Sequence, residues 1–511
     1  MLRHKSVFFG RVTRRTILIT PVLFLLGYGI VLTLAHQQPA AYDLVITGGR
    51  AMDPESNLDA LRNIGISNGR IAAISSGPLR GKQEVKATGL VVAPGFIDIH
   101  AHGQDNKSLM LKVRDGVCTA LDLEEGAFPV REWYASRAGK AIINYGASVG
   151  HIPVRIKLKN GLDVGHRPTG PFGLQSEKLN EWKYEKVNAE EMGRLLALLK
   201  RGLDEGALGI GLGIQYTPGA TREEIYRIFQ LAAERRCVVA VHVRSMGEIE
   251  PGTSIESMQE VIADAATSGA SLHIVHITSS SLRKTPVILD MIAGARRRGL
   301  DITAESYPYT AASTYISSAL LDPGWQERLG ITYEDLQWAA TGERLTEETF
   351  TKYRKQNGFV IMHMIPEEIC DLAISNPGII LGSDGVPFAT GGEHPRGAGS
   401  FARLLGRYVR EKKALTLMEA LGKMTVIPAR RLESYVPQMK NKGRLKIGAD
   451  ADITIFDPVR ILDRATFENP MQPSEGIVDV IIGGIFVVRD SAPVESVFPG
   501  QAIQRQPIST K

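Results

Sequence analysis

Apolar and polar positions alternate at both ends of the chain, whereas apolar residues run in short blocks through its middle. Near the start, YDLVITGGRAMD and RNIGISNGRIAAIS keep a period of two and break at Gly48-Gly49 and Asn68-Gly69, residues that hairpin turns favour. The same texture returns in KGRLKIGADADITIFDP and VDVIIGGIFVVRD, which turn at Gly448 and Gly483-Gly484. Two β segments around a long middle predict a small β-sandwich made from both termini, residues 42–92 and 436–511, with a second domain inserted between them.

Residues 93–435 alternate short apolar runs with helical stretches, the pattern of β/α units around a parallel sheet. The runs are GFIDIHAH, TALDLEE, INYGASVGH, GALGIGLGIQY, VVAVHVRS, LHIVHITS, DITAESYPY and GIILGSDG. Each ends in a polar or ionisable residue, where a (β/α)8 TIM barrel builds its active site. The fold class expected is therefore α/β, a TIM barrel inserted in the sandwich. Residues 320–358 are too long and too charged for a tight connection and are read as a lid or insertion beside the site.

Residues 1–41 differ from the rest. Thr16 to Ala35 carry no charge and follow Arg3, Lys5, Arg11, Arg14 and Arg15; the run ends in a small-x-small pattern. It also matches the span of about 20 residues that crosses a bilayer, so a cleaved signal peptide and an N-terminal membrane anchor over residues 16–35 both remain open. Arg14-Arg15 resembles a twin-arginine export signal. Either reading places the protein outside the cytoplasm, in a periplasm or anchored to the outer side of the cytoplasmic membrane. A net charge of +5 over 511 residues, partly from this leader, gives no argument for nucleic-acid binding. Cys118, Cys237 and Cys370 form no disulfide framework and are read as buried thiols.

In GFIDIHAH the period of two puts His100 and His102 on one strand face, aimed into one pocket. His242 closes VVAVH, His276 closes LHIVH, and Asp384 follows GIILGS. Four imidazoles and a carboxylate from different strands suit a borderline divalent cation, with zinc preferred and one or two ions open. Asp384 is then the candidate general acid and base, and also a candidate ligand.

These residues carry a resemblance. Through APGFIDIHAH, GIQYTP, YPYTAAST, SDG with HPRGAGSFARLLGRYVRE, KMTVIPARRLE and KGRLKIGADADITIFDP, the chain resembles the amidohydrolase superfamily. The likeness is greatest to its N-acyl-D-amino-acid and D-glutamate deacylase branch. The resemblance implies metal-dependent hydrolysis of a linear amide C–N bond in a small molecule bearing a carboxylate. It assigns His100 and His102 to one metal, His242 and His276 to the other, and Asp384 to acid–base work. It also implies that Arg396 pairs with the substrate carboxylate and that Tyr216, Tyr307 and Ser313 line the pocket.

Three departures from family patterns matter. GALGIGLGIQY has no lysine, which disfavours the cyclic-amide hydrolases that bridge their metals with a modified lysine on strand four. Where the deacylases place a cysteine after strand two, this chain has Leu123-Glu124-Glu125-Gly126. Glu124 is the first choice for the bridging ligand because it shares a strand face with Asp122 and Ala120, and Glu125 is the second. A lysine contact is also lost at His276-Ile277-Thr278. Cys118 begins its strand too early to reach the site, and His273 is read as a packed or sheet-edge residue. His151 is open between lining the pocket and capping strand three, while His166, His363 and His394 are read as surface or supporting residues. A cyclic-amide hydrolase and an inactive scaffold on the same fold are the alternatives.

Overall fold

A computed structural model describes residues 42–164, 179–388 and 394–506. The expected leader, residues 1–41, and His166 lie outside the described residues, among which no helix is long and apolar enough to cross a membrane.

The chain opens with strands β1 (Tyr42–Asp53), β2 (Leu58–Ser67), β3 (Arg70–Ser75), β4 (Gly81–Lys86) and β5 (Val91–Pro94). Ser67 pairs with Arg70 across Asn68-Gly69, whose φ angles of 51° and 71° are the pair of positive values that a two-residue hairpin needs. Eight parallel strands follow around the barrel: β6 (Phe96–Asp98), β7 (Val117–Ala127), β8 (Asn144–Gly150), β9 (Gly209–Gly213), β10 (Val238–His242), β11 (Ser271–Ile274), β12 (Ile302–Ser306) and, after an insertion, Ile379–Leu381. All eight apolar runs picked out from the sequence become these strands. Asn188 with Glu191, and Thr253 with Glu256, form capping boxes that start two of the outer helices, Ala189–Asp204 and Ser254–Ser268.

First and last barrel strands meet through the bridge between Ala101 and Gly385. Below it, Lys112 Nζ donates to Asp98 Oδ2 (2.8 Å) and Ser383 Oγ (2.6 Å), and Ser383 N donates to Asp98 Oδ1 (3.0 Å). A buried charge is tolerable here because it is paired and hydrogen-bonded.

The insertion is larger than expected. It leaves the barrel after Ser306 and folds as a three-stranded antiparallel sheet, β13 (Ala312–Tyr315), β14 (Leu336–Trp338) and β15 (Phe359–Met362), before the eighth barrel strand, β16 (Ile379–Leu381). Its short strands flank helices Trp325–Leu329 and Glu347–Gln356, so the expected segment of 320–358 lacks the first strand, β13, and the central one, β15.

The chain then returns to the first sheet with β17 (Ile453–Phe456), β18 (Ile477–Ile482), β19 (Ile485–Arg489) and β20 (Ala492–Pro493). Pairing of β17 with β5 welds both ends into one nine-stranded sheet around a shared core that includes Ile46, Ile64, Val92, Ile453 and Ile481. Because β5 extends to Pro94, the junction with the barrel falls at Gly95, slightly later than the expected residue 92. Not all of 436–511 belongs to this sheet. Ala502 bridges Tyr145 at the start of β8, and Ile503 packs with Leu208, Val238, Val436 and Met439, closing the barrel floor.

Candidate metal centre

His100 and His102 lie just past β6, with their Nε2 atoms 3.0 Å apart. Glu124 sits between them and the second histidine pair. Its Oε2 is 2.8 Å from His100 Nε2, 3.2 Å from His102 Nε2 and 3.9 Å from His276 Nε2, while its Oε1 is 3.1 Å from His242 Nδ1. Asp384 Oδ1 is 3.4 Å from His100 Nε2 and 3.3 Å from His102 Nε2. Three groups among the described residues thus have metal-ligand spacing, His100–His102–Glu124–Asp384, Glu124–His242–His276 and His102–Asp122–Glu125, and the two that join the histidine pairs share Glu124. That is the geometry of a bridging carboxylate, and it favours Glu124 over Glu125.

Local backbone chemistry explains how neighbouring glutamates both reach the cavity. Asp122 Oδ1 accepts from the amides of Glu125 and Gly126, each at 3.1 Å, and the β7–β8 register shifts between Asp122 and Ala127. This bulge, with Gly126 at φ +63°, breaks the strict alternation of sides. On β9 a Cβ placed at Gly211 would come 2.0 Å from the Glu124 carbonyl oxygen. Strand four therefore supplies room for the β7 bulge at Gly211.

Each imidazole is held on the nitrogen facing away from Glu124. Asp122 Oδ2 lies 3.2 Å from His102 Nδ1, Gln215 Oε1 is 2.9 Å from His242 Nε2, and the hydroxyls of Ser279 and Ser280 are 3.1 and 3.0 Å from His276 Nδ1. Glu305 contacts His100 Nδ1 through Oε1, and its Oε2 is 3.0 Å from His273 Nε2, whose Nδ1 meets Thr303 Oγ1 at 2.7 Å. Such outer partners fix tautomer and ring orientation. Sequence reasoning missed Asp122, Gln215, Ser279, Ser280 and Glu305 as site residues, although Glu305 closes a barrel strand and was open to the same argument as Asp384. His273, expected as packing, is a member of this chain of contacts.

The electrostatics describe a centre short of positive charge. Burial works to depress His100, yet the carboxylates of Glu305, Asp384 and Glu124 outweigh it and lift the imidazole to about 10. His102 is raised in the same way against its burial by Asp122, Asp384 and Glu124. Burial and the neighbouring His242 push His276 down to about 4, so that ring keeps a lone pair for a ligand. Protons on His100 and His102 occupy the place where a divalent cation satisfies the same carboxylates. His276 and Asp384 also hold φ angles of 31° and 51°, a conformation that costs a non-glycine residue roughly 1–3 kcal/mol and clusters at functional sites.

The centre opens on a cavity walled partly by Ala312, Ser313, Thr314, Tyr315, Phe359 and Met362 of the insertion. Tyr216 and Ser313 line it, and Arg396 is the single Lys or Arg among its described lining residues. Arg396 Nη1 is 2.8 Å from Asp384 Oδ2, but neither Nη1 nor Nε makes a well-directed hydrogen bond, leaving donors for a bound anion. Tyr307 differs from expectation. It lies behind the lining, with the Arg396 guanidinium 4.6 Å above its ring, and so supports the arginine instead of facing the cavity. His394 helps from the other side, donating from Nε2 to Ala311 O (3.0 Å) and accepting at Nδ1 from Arg396 N (3.1 Å).

Three residues stand apart from the site. His151 is buried 2.7 Å from Glu224 in an ion-pair cluster with Arg155, His363 pairs with Gln337 Oε1 in the insertion (2.8 Å), and Cys118 is buried under Gly95.

A protein-family model described as the amidohydrolase family matches residues 83–488, a span that contains the whole barrel and every residue of the centre. The chain belongs to the amidohydrolase family. This amidohydrolase is 29% identical to the N-acyl-D-glutamate deacylase of Alcaligenes xylosoxydans xylosoxydans, over 91% of this chain and 96% of that relative. It is 27% identical to the D-aminoacylase of the same organism, over 92% and 98% of the two chains. Among solved structures it is similar to the N-acyl-D-glutamate deacylase of Bordetella bronchiseptica, complexed with zinc and a phosphonate inhibitor that mimics the tetrahedral intermediate. That match has a TM-score of 0.75 and 27% identity, covering 91% of this chain and all of the other.

Proposed function

We propose that this amidohydrolase removes the acyl group from N-acyl-D-amino acids or closely related linear amides that carry a carboxylate. The observation that carries the reading is the Glu124 carboxylate shared between the His100–His102 and His242–His276 pairs, beside Asp384 and Arg396. The relatives named above supply the substrate class.

His100, His102, Glu124, His242, His276 and Asp384 would hold one or two divalent ions, with zinc the ion bound in the Bordetella relative. When bound, such an ion polarises the amide carbonyl and brings the pKa of a water to about 7. The chain's own residues do the rest. Burial alone would raise Asp384, but Arg396 and His100 hold it well below the usual carboxylate range, so it is ionised and ready to accept a proton. Its Oδ1, facing His100 and His102, takes the proton of the attacking water and returns it to the leaving nitrogen. Arg396, on the Oδ2 side, binds the carboxylate of the departing amino acid and sets that nitrogen against the acid.

We further propose that residues 1–41 direct the enzyme out of the cytoplasm, by cleavage or by anchoring at residues 16–35. The uncharged run after five basic residues supports this. Fractionating cells that produce the full chain tests it, and accumulation in the cytosol would refute export.

The functional test is elemental analysis of the purified protein together with turnover of N-acyl-D-amino acids, N-acyl-L-amino acids and hydantoins. Zinc near one or two equivalents with D-selective deacylation is the expected result. Turnover of hydantoins alone would replace the linear-amide reading.

A further inference from the structure

The proposed reaction leaves one acidic group in the cavity without a task. Glu125 lines the same cavity as the metal centre but has ligand spacing with only one of the four histidines, His102, and with Asp122, so its carboxylate is not the one shared by the two histidine pairs. Its side chain is 11% exposed and its Oε1 accepts no hydrogen bond from any described donor. The nearest basic group, His102 Nδ1 at 3.4 Å from Oε2, is already engaged by Asp122 Oδ2 at 3.2 Å. A buried carboxylate oxygen without a donor is costly, and a ligand that brings the donor removes the cost.

The surroundings specify the donor. Tyr315 and Phe359 line the same cavity as Glu125, with ring centroids 4.0 Å apart. A carboxylate beside aromatic faces is a receptor for an ammonium group. Its position along the substrate follows from the other end. Asp384 Oδ2 faces Arg396, so the carboxylate of the departing amino acid lies on that side. Asp384 Oδ1 faces His102, and Glu125 lies beyond His102, on the acyl side.

We infer that the acyl group of the preferred substrate carries an amine, so that the enzyme cleaves aminoacyl-D-amino acids, with the ammonium on Glu125 and the terminal carboxylate on Arg396. Water adds across the C–N bond, releasing the aminoacyl part as a free amino acid and the D-amino acid with its amine protonated. The inference rests on the linear-amide reading above and narrows its acyl half.

Glycyl and propionyl derivatives of the same D-amino acids test it, because they are nearly isosteric and differ in the ammonium. The zinc-loaded full-length enzyme should prefer glycyl over propionyl in kcat/KM by about tenfold or more, the scale of a hydrogen bond to a charged group. Glu125→Gln should collapse that ratio towards one while zinc content stays that of the parent. Equal or better use of propionyl substrates by the parent overturns the inference and leaves the deacylase reading standing. An equal loss on both substrates in the variant, or loss of zinc from it, also overturns the inference by making Glu125 a structural or metal-binding group. Failure to hydrolyse either class removes both readings together.

Discussion

At their C-terminal ends the barrel strands bring His100, His102, Glu124, His242, His276 and Asp384 within a few ångströms, while at the opposite end Leu208, Val238, Val436, Met439 and Ile503 meet in an apolar plug. The mouth is crowded with ionisable groups whose pKa values are displaced in both directions, and two of its residues sit in left-handed backbone. The floor has none of these features in its packed core. Barrels divide labour this way, with chemistry at the C-terminal face and stability at the N-terminal face. The difference teaches that substitutions at the two ends should report on different quantities.

The widest separation is expected at the mouth. Asp384→Asn should lower kcat by about 10²- to 10⁴-fold, the contribution usual for a positioned acid–base group, and leave the thermal midpoint within a few degrees of the parent. A variant of undiminished activity would remove Asp384 from the mechanism. At the floor, Ile503→Ala should do the reverse, costing about 2–5 kcal/mol in denaturant titration while kcat per folded molecule is unchanged. A fall in kcat there would show that floor and mouth are coupled.

Between these extremes lies the layer behind the ligands. Glu305→Gln keeps the shape but loses the charge against His100 and His273, and should weaken zinc binding by about 10- to 100-fold in chelator competition. Unaltered affinity would mean that Glu305 only fills space next to Gly382, where an added Cβ would come within 2.5 Å of its Oε2. The smallest effect belongs to a buried histidine outside both regions. Burial holds His151 below its usual value of 6.5 despite Glu224, so the unfolded chain takes up a proton before the folded one does. Its contribution is complete above that value and is lost as pH falls from 6.5 towards the lower folded-state value. Thermal midpoints should decline over that window, and His151→Asn should flatten the decline.

Much of this contrast was legible in the residues themselves. Regular strands announced their ends through alternation and glycine punctuation, which located His100, His102, His242, His276 and Asp384 and the hairpin at Asn68-Gly69. Where periodicity fails, legibility failed with it. The bulge after Asp122 depends on side-chain-to-backbone hydrogen bonds that no period encodes, so the sequence left Glu124 and Glu125 as alternatives although both face the cavity. Strands as short as Ala312–Tyr315 and Phe359–Met362 hid the extent of the insertion, and a single apolar residue such as Ile503 gives no sign that it plugs a barrel. The partners of His100 and His102 needed distances across strands, and Tyr307 needed the layer behind the wall to be seen as the seat of Arg396.

The union of both chain ends in one sheet has a consequence for how the molecule forms. Leu445 donates its amide to Asp53 Oδ1 across 392 residues of sequence, and the edge of β5 away from β1 finds its partner only in β17. Loops of that size must close before their contacts repay the lost entropy, which makes such pairings late events in folding. Synthesis of the outer sheet is thus a clasp, fastened only after the barrel's strands have been made, and the β5 edge stays open for pairing until β17 arrives.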